Sequence, residues 1–515
     1  MTTHLRSAGE THSAEFPTVT VTSPLDGRTL NVLCADSSDD VRATATRLRD
    51  AQPRWEQLGL DGRSKWLDRY RNWLLDNADR ITGLLHEETG KAKAEAPIEL
   101  GLSIDALNYY NEHAAEFLGA GHPRPHSLLT ATKRLEVNHR PYPLVGVISP
   151  WNYPLALALF DALPALIAGA AVLLKPSSET PLAISAAVAG WEEIGAPPVF
   201  ATVVGAGIGS TVVDVVDYVQ FTGSTATGRT VAQQAASRLI PYGLELGGKD
   251  PAIVLADANV VQAAAGIAFG GLSNSGQMCT AVERVYVEAA VHDEFVDKLV
   301  EVVAALRQCP GGPDDGSVDL GAMVTESQVE VAAEQVRDAV AKGAVLRIGG
   351  SGGGHYFEPT VLTGVDHSMR VMTEETFGPI LPVMRVRDAD EAIRLANGSD
   401  YGLSASVWTR NLERGKQIAR RLEVGSVDVN DVNAHLACFP LPMSGWKDSG
   451  AGGGRLGGAA GIRKYCRTNT VTSPRIELSA IAALLWFPYS PWKTRAVEKS
   501  MRLLGGRNLA RRLGI

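Results

Sequence analysis

The 515-residue sequence has no CxxC pair, no long block of like charge in its body, no apolar stretch long enough to cross a bilayer, and no complete GxGxxG fingerprint. Each absence narrows the field. The five cysteines (Cys34, Cys279, Cys309, Cys438 and Cys466) are odd in number and widely scattered, which argues against zinc or a redox dithiol and predicts reduced thiols in the cytoplasm. No metal site is expected. The longest apolar stretches, such as Pro164–Leu174 and Ile481–Phe487, fall short of the roughly 20 residues of a membrane-spanning helix. Met1–Phe16 lack the basic start and apolar core of a secretion signal, so export is not expected. The net charge of -8 is spread along the chain, whereas nucleic acid binding needs clustered Lys and Arg.

What is present reads as a multidomain enzyme. A chain of this length exceeds one hydrophobic core, since domains run about 100 to 200 residues. Val41–Glu116 carries apolar positions at helical spacing with few glycines or prolines, which predicts a packed helical layer. From Leu144 the texture changes to short β-rich runs (LVGVISP, AVLLKP, FATVVG, YVQFTGS) separated by helical patterns, the signature of a parallel α/β sheet. The pattern restarts near residue 247 with PAIVLA, RVYVEA, a helical stretch at His292–Leu306, and strands at Ile380–Arg387 and Ser404–Trp408. Lys133–Pro143 and Lys464–Ser473 read as extra strands outside both sheets.

Five segments hold chemistry-bearing residues, and each taken alone has a plain reading as well. In SNSGQMCT (Ser273–Thr280), Cys279 sits among small and amide residues, either as a nucleophile or as an inert buried thiol. In LELGGKDP (Leu244–Pro251), Glu245 precedes a Gly-Gly turn, where it is either a base with a raised pKa or a solvated turn acid. In SPWNYP, the Asn152 amide is fixed between two prolines, which suits oxyanion binding as well as a simple turn. Lys175 emerges at the carboxyl end of a predicted buried strand, where α/β sheets bind ligands. GAGIGS (Gly205–Ser210) and FTGSTATG (Phe221–Gly228) are weak dinucleotide signals on their own.

In sequence order, FTGS, ELGGK, GQMC and the TEETFGP stretch (Thr373–Pro379) resemble the signatures of the aldehyde dehydrogenase superfamily, over roughly Val19–Ser473. The resemblance implies two Rossmann-like α/β domains and a small β-flap oligomerisation element. The cofactor-binding domain is expected over 17–132 and 144–246 and the catalytic domain over 247–440. Strands at 133–143 and 464–475 are expected to join protomers into a homodimer or homotetramer, and 480–515 to form a basic extension. By the same resemblance Cys279 is the nucleophile, Glu245 the base that activates the deacylating water, and Asn152 with the Cys279 amide the oxyanion hole. Relatives that release acyl-coenzyme A characteristically lack this glutamate, so the free acid is the expected product; an inactive binding protein would need none of the three residues.

The resemblance further implies an NADP or NAD groove. Glu375 is expected to bind the nicotinamide ribose with Phe377 beside the ring, Lys175 the adenosine ribose, and Ser224 to start the helix that approaches the pyrophosphate. Ile148, Ser149, Pro150, Trp151, Gly207, Phe221, Leu246 and Gly247 are expected to complete the groove. NAD-specific relatives commonly carry glutamate three residues after the ribose lysine. Here Ser178 stands there, with Glu179 next, so NADP should be tolerated and either cofactor remains open.

The texture of GVISPWNYP and LKPSSETP is also similar to bacterial NADP-dependent succinate-semialdehyde dehydrogenases. Those relatives hold the substrate carboxylate with arginines at two positions that are Phe160 and Ser273 here. A general aldehyde is therefore the main expectation and succinate semialdehyde the alternative. Asn433, His435 and Leu436 belong to a loop expected over the pocket mouth, with His435 either solvent-facing or substrate-binding. After Trp486-Phe487-Pro488-Tyr489, the cations Lys493, Arg495, Lys499, Arg502, Arg507, Arg511 and Arg512 face one acid, Glu498. This predicts a basic terminal helix that either packs its leucines on the body or meets a membrane surface or partner.

Overall fold

The apolar positions between Val41 and Glu116 fall on helices α1 (Ser38–Gln57), α2 (Gly59–Asp76), α3 (Ala78–Thr89) and α4 (Ala96–Leu118) of the computed structural model, which describes residues 17–127, 130–312, 314–475 and 486–508. Ahead of them, β1 (Thr18–Thr22) and β2 (Thr29–Cys34) form an antiparallel pair. Helix α1 starts with a capping box: Ser37 accepts from the Asp40 N–H, and the Asp40 carboxylate accepts from the Ser37 N–H. The layer is anchored by tryptophan and tyrosine. Trp55 donates its indole N–H to the Leu166 carbonyl and Tyr70 its hydroxyl to that of Ala187, so each large ring is buried with its polar end satisfied.

The chain forms two compact units, Met1–Phe117 with Pro141–Cys466, and Leu118–Arg140 with Arg467–Ile515. In the second unit, β3 (Lys133–Pro141) pairs with the strand Cys466–Pro474 in a two-stranded sheet. These are the two expected extra strands, trimmed: Lys464 and Tyr465 precede the second strand rather than begin it.

Two sheets build the first unit. Strands β4 (Leu144–Ile148), β5 (Ala171–Lys175), β6 (Phe200–Thr202), β7 (Tyr218–Thr222) and β8 (Tyr242–Glu245) are parallel. They stand in the order β8-β7-β4-β5-β6. The strand order reverses between β4 and β7, where Ile148 is registered with Phe221; ligands of open α/β sheets bind at the carboxyl ends of such strands. Helices α5 (Ala156–Ala168), α6 (Leu182–Glu193), α7 (Gly209–Val215) and α8 (Thr225–Ser237) connect them.

One edge corrects the expected domain limits. The strand Gly450–Gly452 runs antiparallel to β8, pairing Gly450 with Glu245, so the first sheet takes its last strand from a segment beyond both expected domains. Its glycines carry no hydrophobic alternation, and the reason it is there is backbone pairing rather than side-chain burial.

The second sheet has seven strands, in the order Val345–Ile348, Thr360–Thr363, Ile380–Val386, β10 (Val282–Glu288), β9 (Asp250–Val254), Ser404–Trp408 and Ser426–Val429. All neighbours are parallel except the antiparallel pair of Val345–Ile348 with Thr360–Thr363. Ala252 and Val254 belong to one buried cluster with Ile267 of α9 (Val260–Leu272), while Ile253 belongs to another with Val336 and Ile393. Alternate residues of β9 thus face two cores, which requires both faces of the sheet to be covered. The link Leu246–Lys249 carries the chain from the carboxyl end of β8 directly to the amino end of β9.

Candidate active site

Cys279 follows a loop that the backbone alone would not hold. Asn274, Ser275 and Gly276 have φ of 52°, 55° and 73°, and consecutive left-handed residues are costly unless their surroundings over-determine them. Here they do. The Asn274 N–H donates to Glu95 at 2.8 Å, its side-chain amide donates to the carbonyls of Asn152 and Gln277, and Ser275 donates to the Gly321 carbonyl at 2.8 Å. The Gln277 side chain donates to the Asn274 carbonyl and accepts from the Val324 N–H. Gly276 is required sterically, because a Cβ there would lie 2.2 Å from the Gly378 carbonyl oxygen.

The same network seats Asn152. It is 3% exposed, and one of its two amide N–H bonds goes to the Gln277 carbonyl at 3.0 Å. Below it, Lys91 donates to the Asn152 carbonyl at 3.2 Å and pairs with Glu99 at 2.6 Å, both side chains fully buried. The other Glu99 oxygen accepts from the N–H groups of Leu155 and Ala156, where the positive end of α5 favours an anion. Asn152 and the Cys279 loop are thereby fixed to each other and to a helix start.

Glu245 ends β8 and is 3% exposed, which excludes a solvated turn acid. One carboxylate oxygen accepts from the Arg455 backbone N–H at 3.0 Å, and the other is buried without a partner. Burial pushes its pKa up to about 7, against the opposing pull of Arg455 and Lys464. The Arg455 guanidinium is itself buried against Asp161 of α5 at 2.6 Å, and Tyr465 and Lys464 also donate to Asp161. Burial alone would raise the Asp161 carboxyl, yet Arg455 and Lys464 hold it below its ordinary value. The Cys279 thiol is pushed up to about 12, chiefly by burial, with Arg455 lowering it and Asp250, Glu245 and Glu375 raising it. These groups therefore lie close enough to the thiol to act on its ionisation.

A second cluster gathers the expected nicotinamide-side residues. Lys249 and Glu283 form a buried ion pair at 2.7 Å. Glu283 accepts from the N–H groups of Thr376 and Phe377, and Lys249 donates to the Thr376 hydroxyl. This clamp turns Phe377 (φ 51°) edge-on to Trp151 at 5.3 Å and brings Glu375 to the Gly248 N–H at 3.0 Å, beside Gly247. Burial, then Glu283, pushes the Glu375 carboxyl up to about 7.

On the adenosine side, the Ser149 N–H donates to the Lys175 carbonyl, joining Ile148, Ser149 and Pro150 to the end of β5. The Lys175 ammonium donates to the carbonyl of its neighbour Pro176 at 3.0 Å, and burial lowers its pKa. Ser178 is half-buried and Glu179 exposed. Ser224 caps α8 by accepting from Thr227. Phe221 and Leu246 are each 5% exposed, and the Leu246 side chain lies against Gly228 of α8. The Ser149 hydroxyl is buried without a partner, and nothing lies within 4 Å of a Cβ built on Gly207. Unspent polar capacity and free space at the switch point fit a phosphate-bearing dinucleotide. Among the described residues no cluster of His, Cys, Asp and Glu could hold a metal ion.

Sequence reasoning missed Arg455, Asp161 and Lys464. The available signal was one arginine inside a glycine run, GAGGGRLGG. His435 is buried and bonded to Asp428 at 2.8 Å, which removes the solvent-facing reading.

A profile described as the aldehyde dehydrogenase family matches residues 11–471. A protein of Mycolicibacterium smegmatis named "Putative succinate-semialdehyde dehydrogenase NADP(+)" is 39% identical over 92% of this chain and 93% of its own length. The 4,4'-diapolycopene aldehyde oxidase of a Methylomonas species is 38% identical over 92% of this chain and 88% of its own. Among solved structures, the NADP-dependent glyceraldehyde-3-phosphate dehydrogenase of Bacillus halodurans C-125 complexed with NADP superposes with a TM-score of 0.85 at 32% identity, covering 89% of this chain and 96% of that one.

Proposed function

The chain belongs to the aldehyde dehydrogenase family and oxidises an aldehyde to its carboxylic acid with a nicotinamide dinucleotide, and on that premise we propose that Cys279, Glu245 and Asn152 carry the reaction. The observation that carries this reading is the shared scaffold: the Cys279 loop, Asn152 and Glu95 are bonded into one network, and Glu245 is buried with one carboxylate oxygen unpartnered.

A thiol raised to about 12 is protonated at rest, so attack needs a base. Glu245, raised to about 7, takes the thiol proton, directly or through water, as the sulfur bonds to the aldehyde carbon. The free N–H of the Asn152 amide and the Cys279 backbone N–H hold the resulting oxyanion. The bound nicotinamide supplies an acceptor for the hydride that this carbon then loses. The acyl group is left on sulfur as a thioester. Glu245 releases the thiol's proton to solvent and then deprotonates a water that attacks the acyl carbon; the C–S bond breaks, the acid departs, and Glu245 returns the water's proton to the thiolate. Trp151, Glu375 and Phe377 bind the nicotinamide half of the cofactor, and Lys175, Ser178, Gly207 and Ser224 the adenosine and pyrophosphate half. With Ser178 in place of a carboxylate, NADP is accepted; the Bacillus halodurans enzyme to which this chain is similar is itself complexed with NADP.

The substrate we propose is an uncharged aldehyde. Phe160 packs against Phe439 at 5.9 Å, and Phe439 meets Tyr109 at 5.8 Å, while the Ser273 hydroxyl donates to the Phe269 carbonyl. Neither position offers a cation to offset the lost hydration of a carboxylate. The Methylomonas relative is likewise named for a hydrocarbon aldehyde. One observation favours the second reading, succinate semialdehyde: a buried Arg455 nitrogen has no partner and would suit an acid group. Initial rates of NADH and NADPH formation on hexanal, benzaldehyde and succinate semialdehyde separate the two. Dominance of hexanal or benzaldehyde is expected, and dominance of succinate semialdehyde overturns the substrate assignment.

The pairing of β3 with Cys466–Pro474 supports a homodimer or homotetramer, because an isolated two-stranded sheet is marginal and offers open edges to a second protomer. Five free cysteines support a cytoplasmic location.

A further inference from the structure

We infer that the C-terminal tail docks on the surface of an anionic lipid bilayer, with the helix Pro491–Gly505 lying in the plane of the interface. The inference is independent of which aldehyde the enzyme takes.

The tail helix buries none of its residues. Trp486, Phe487, Tyr489, Trp492, Met501 and Leu503 are each between 55% and 80% exposed. At about 100° per residue, Trp492, Ala496, Val497, Met501, Leu503 and Leu504 fall on one half of the helix, and Arg495, Lys499 and Arg502 cluster on the other. Lys493 would interrupt the apolar half. Its ammonium instead turns back to the carbonyls of Trp486 and Pro488, at 3.1 and 2.9 Å, and so ties the aromatic turn to the helix start. Phe487 and Tyr489 pack together there at 4.7 Å.

Charge identifies the occupant. From Trp486 onward the sequence carries seven Lys or Arg and one acid, Glu498, in a chain whose net charge is -8. That segregation is complementary to acidic headgroups, and the aromatic turn, which has both apolar faces and polar edges, suits the headgroup level of a bilayer. The sequence Ile481–Phe487, which leads into the turn, is wholly apolar. The 15-residue helix is about 22 Å long, shorter than the roughly 30 Å hydrocarbon core, and none of the described helices is long and apolar enough to cross a membrane. Lying on the surface is the arrangement that satisfies both faces.

Co-sedimentation of the full-length protein with vesicles tests this. At about 0.1 M salt, where charges act over roughly 10 Å, the protein should pellet with vesicles containing phosphatidylglycerol and stay in solution with pure phosphatidylcholine; about 1 M salt should release much of it. The double variant Trp486→Ala/Trp492→Ala and the triple variant Arg495→Glu/Lys499→Glu/Arg502→Glu should each cut the bound fraction about tenfold or more, with kcat on a water-soluble aldehyde unchanged. The retained kcat separates lost docking from lost folding. Failure of the parent to pellet at low salt, or equal pelleting by the charge-reversed variant, overturns the inference. So does absence of lipid binding together with a change of oligomeric mass in the variants, which would make the tail a protomer contact.

Discussion

Cys279 and Glu245 are moved in the same direction by the same cause: burial pushes the thiol up to about 12 and the carboxyl up to about 7. Of these two only Glu245 titrates near neutrality, and its role as base makes it, rather than Glu375, which is also raised to about 7, the group expected to set the pH dependence. Glu245 must be ionised to accept a proton, and kcat/KM should rise with pH through about 7; Glu245→Gln should lose most of the activity and the inflection with it, and an unchanged inflection would assign the titration to another group. Stability runs the opposite way. The native carboxyl keeps its proton between the ordinary value of 4.5 and about 7, so its contribution is present at low pH and is lost as pH rises through about 7. Glu245→Gln should therefore melt a few degrees above the parent at pH near 8 and not at pH near 5 in a calorimetric scan. Asn152→Ala should lower kcat by about 10² to 10³-fold, the usual loss of one oxyanion donor, with cofactor affinity unchanged by fluorescence titration. Ser178→Glu should reduce kcat/KM with NADP relative to NAD by about tenfold or more; at this half-buried position solvent screening discounts the larger Coulomb figure for two charges in contact.

At the scale of elements, chemistry depends on helix starts and loops braced by buried ions. Lys91 and Glu99 hold the start of α5 and the Asn152 carbonyl together. Lys91→Met leaves Glu99 buried without its cation, and breaking such a pair costs about 3 to 5 kcal/mol. The expected result is a clear fall in melting temperature with a fall in kcat; an unchanged melt would mean that the helix N–H groups suffice for Glu99. Much of this level was legible in the sequence. The runs LVGVI, AVLLK and YVQFT are buried on both faces, and continuous apolar runs between helical patterns are the strongest signal of a parallel sheet. The strand Gly450–Gly452 was not legible, because its place in the sheet rests on backbone bonds to β8 and no side-chain pattern records them. Arg455 was hidden for the same reason. Its partners Asp161 and Glu245 are far from it in sequence, and nothing local distinguishes a buried arginine in a glycine run from a solvated one.

For the whole molecule, the two-sheet arrangement explains why the groups proposed to react come from segments far apart in the chain. The carboxyl ends of β4, β5, β7 and β8 supply Asn152, Lys175, Ser224 and Glu245, while the loop before β10 supplies Cys279. Motif order carried this reading, since the motifs mark these ends and that loop in turn. The proposed role of the ribbon of β3 and Cys466–Pro474 is to join protomers, and light scattering at working concentration should give a dimer or tetramer; a monomer would contradict that role. The central claim is the covalent path through Cys279, and the most direct test is mass spectrometry of the parent protein quenched in acid during turnover of hexanal with NADP. Acid traps the thioester, and the account predicts an acyl adduct mapped to the peptide that contains Cys279. Absence of any adduct there, together with full turnover by Cys279→Ala, would contradict it.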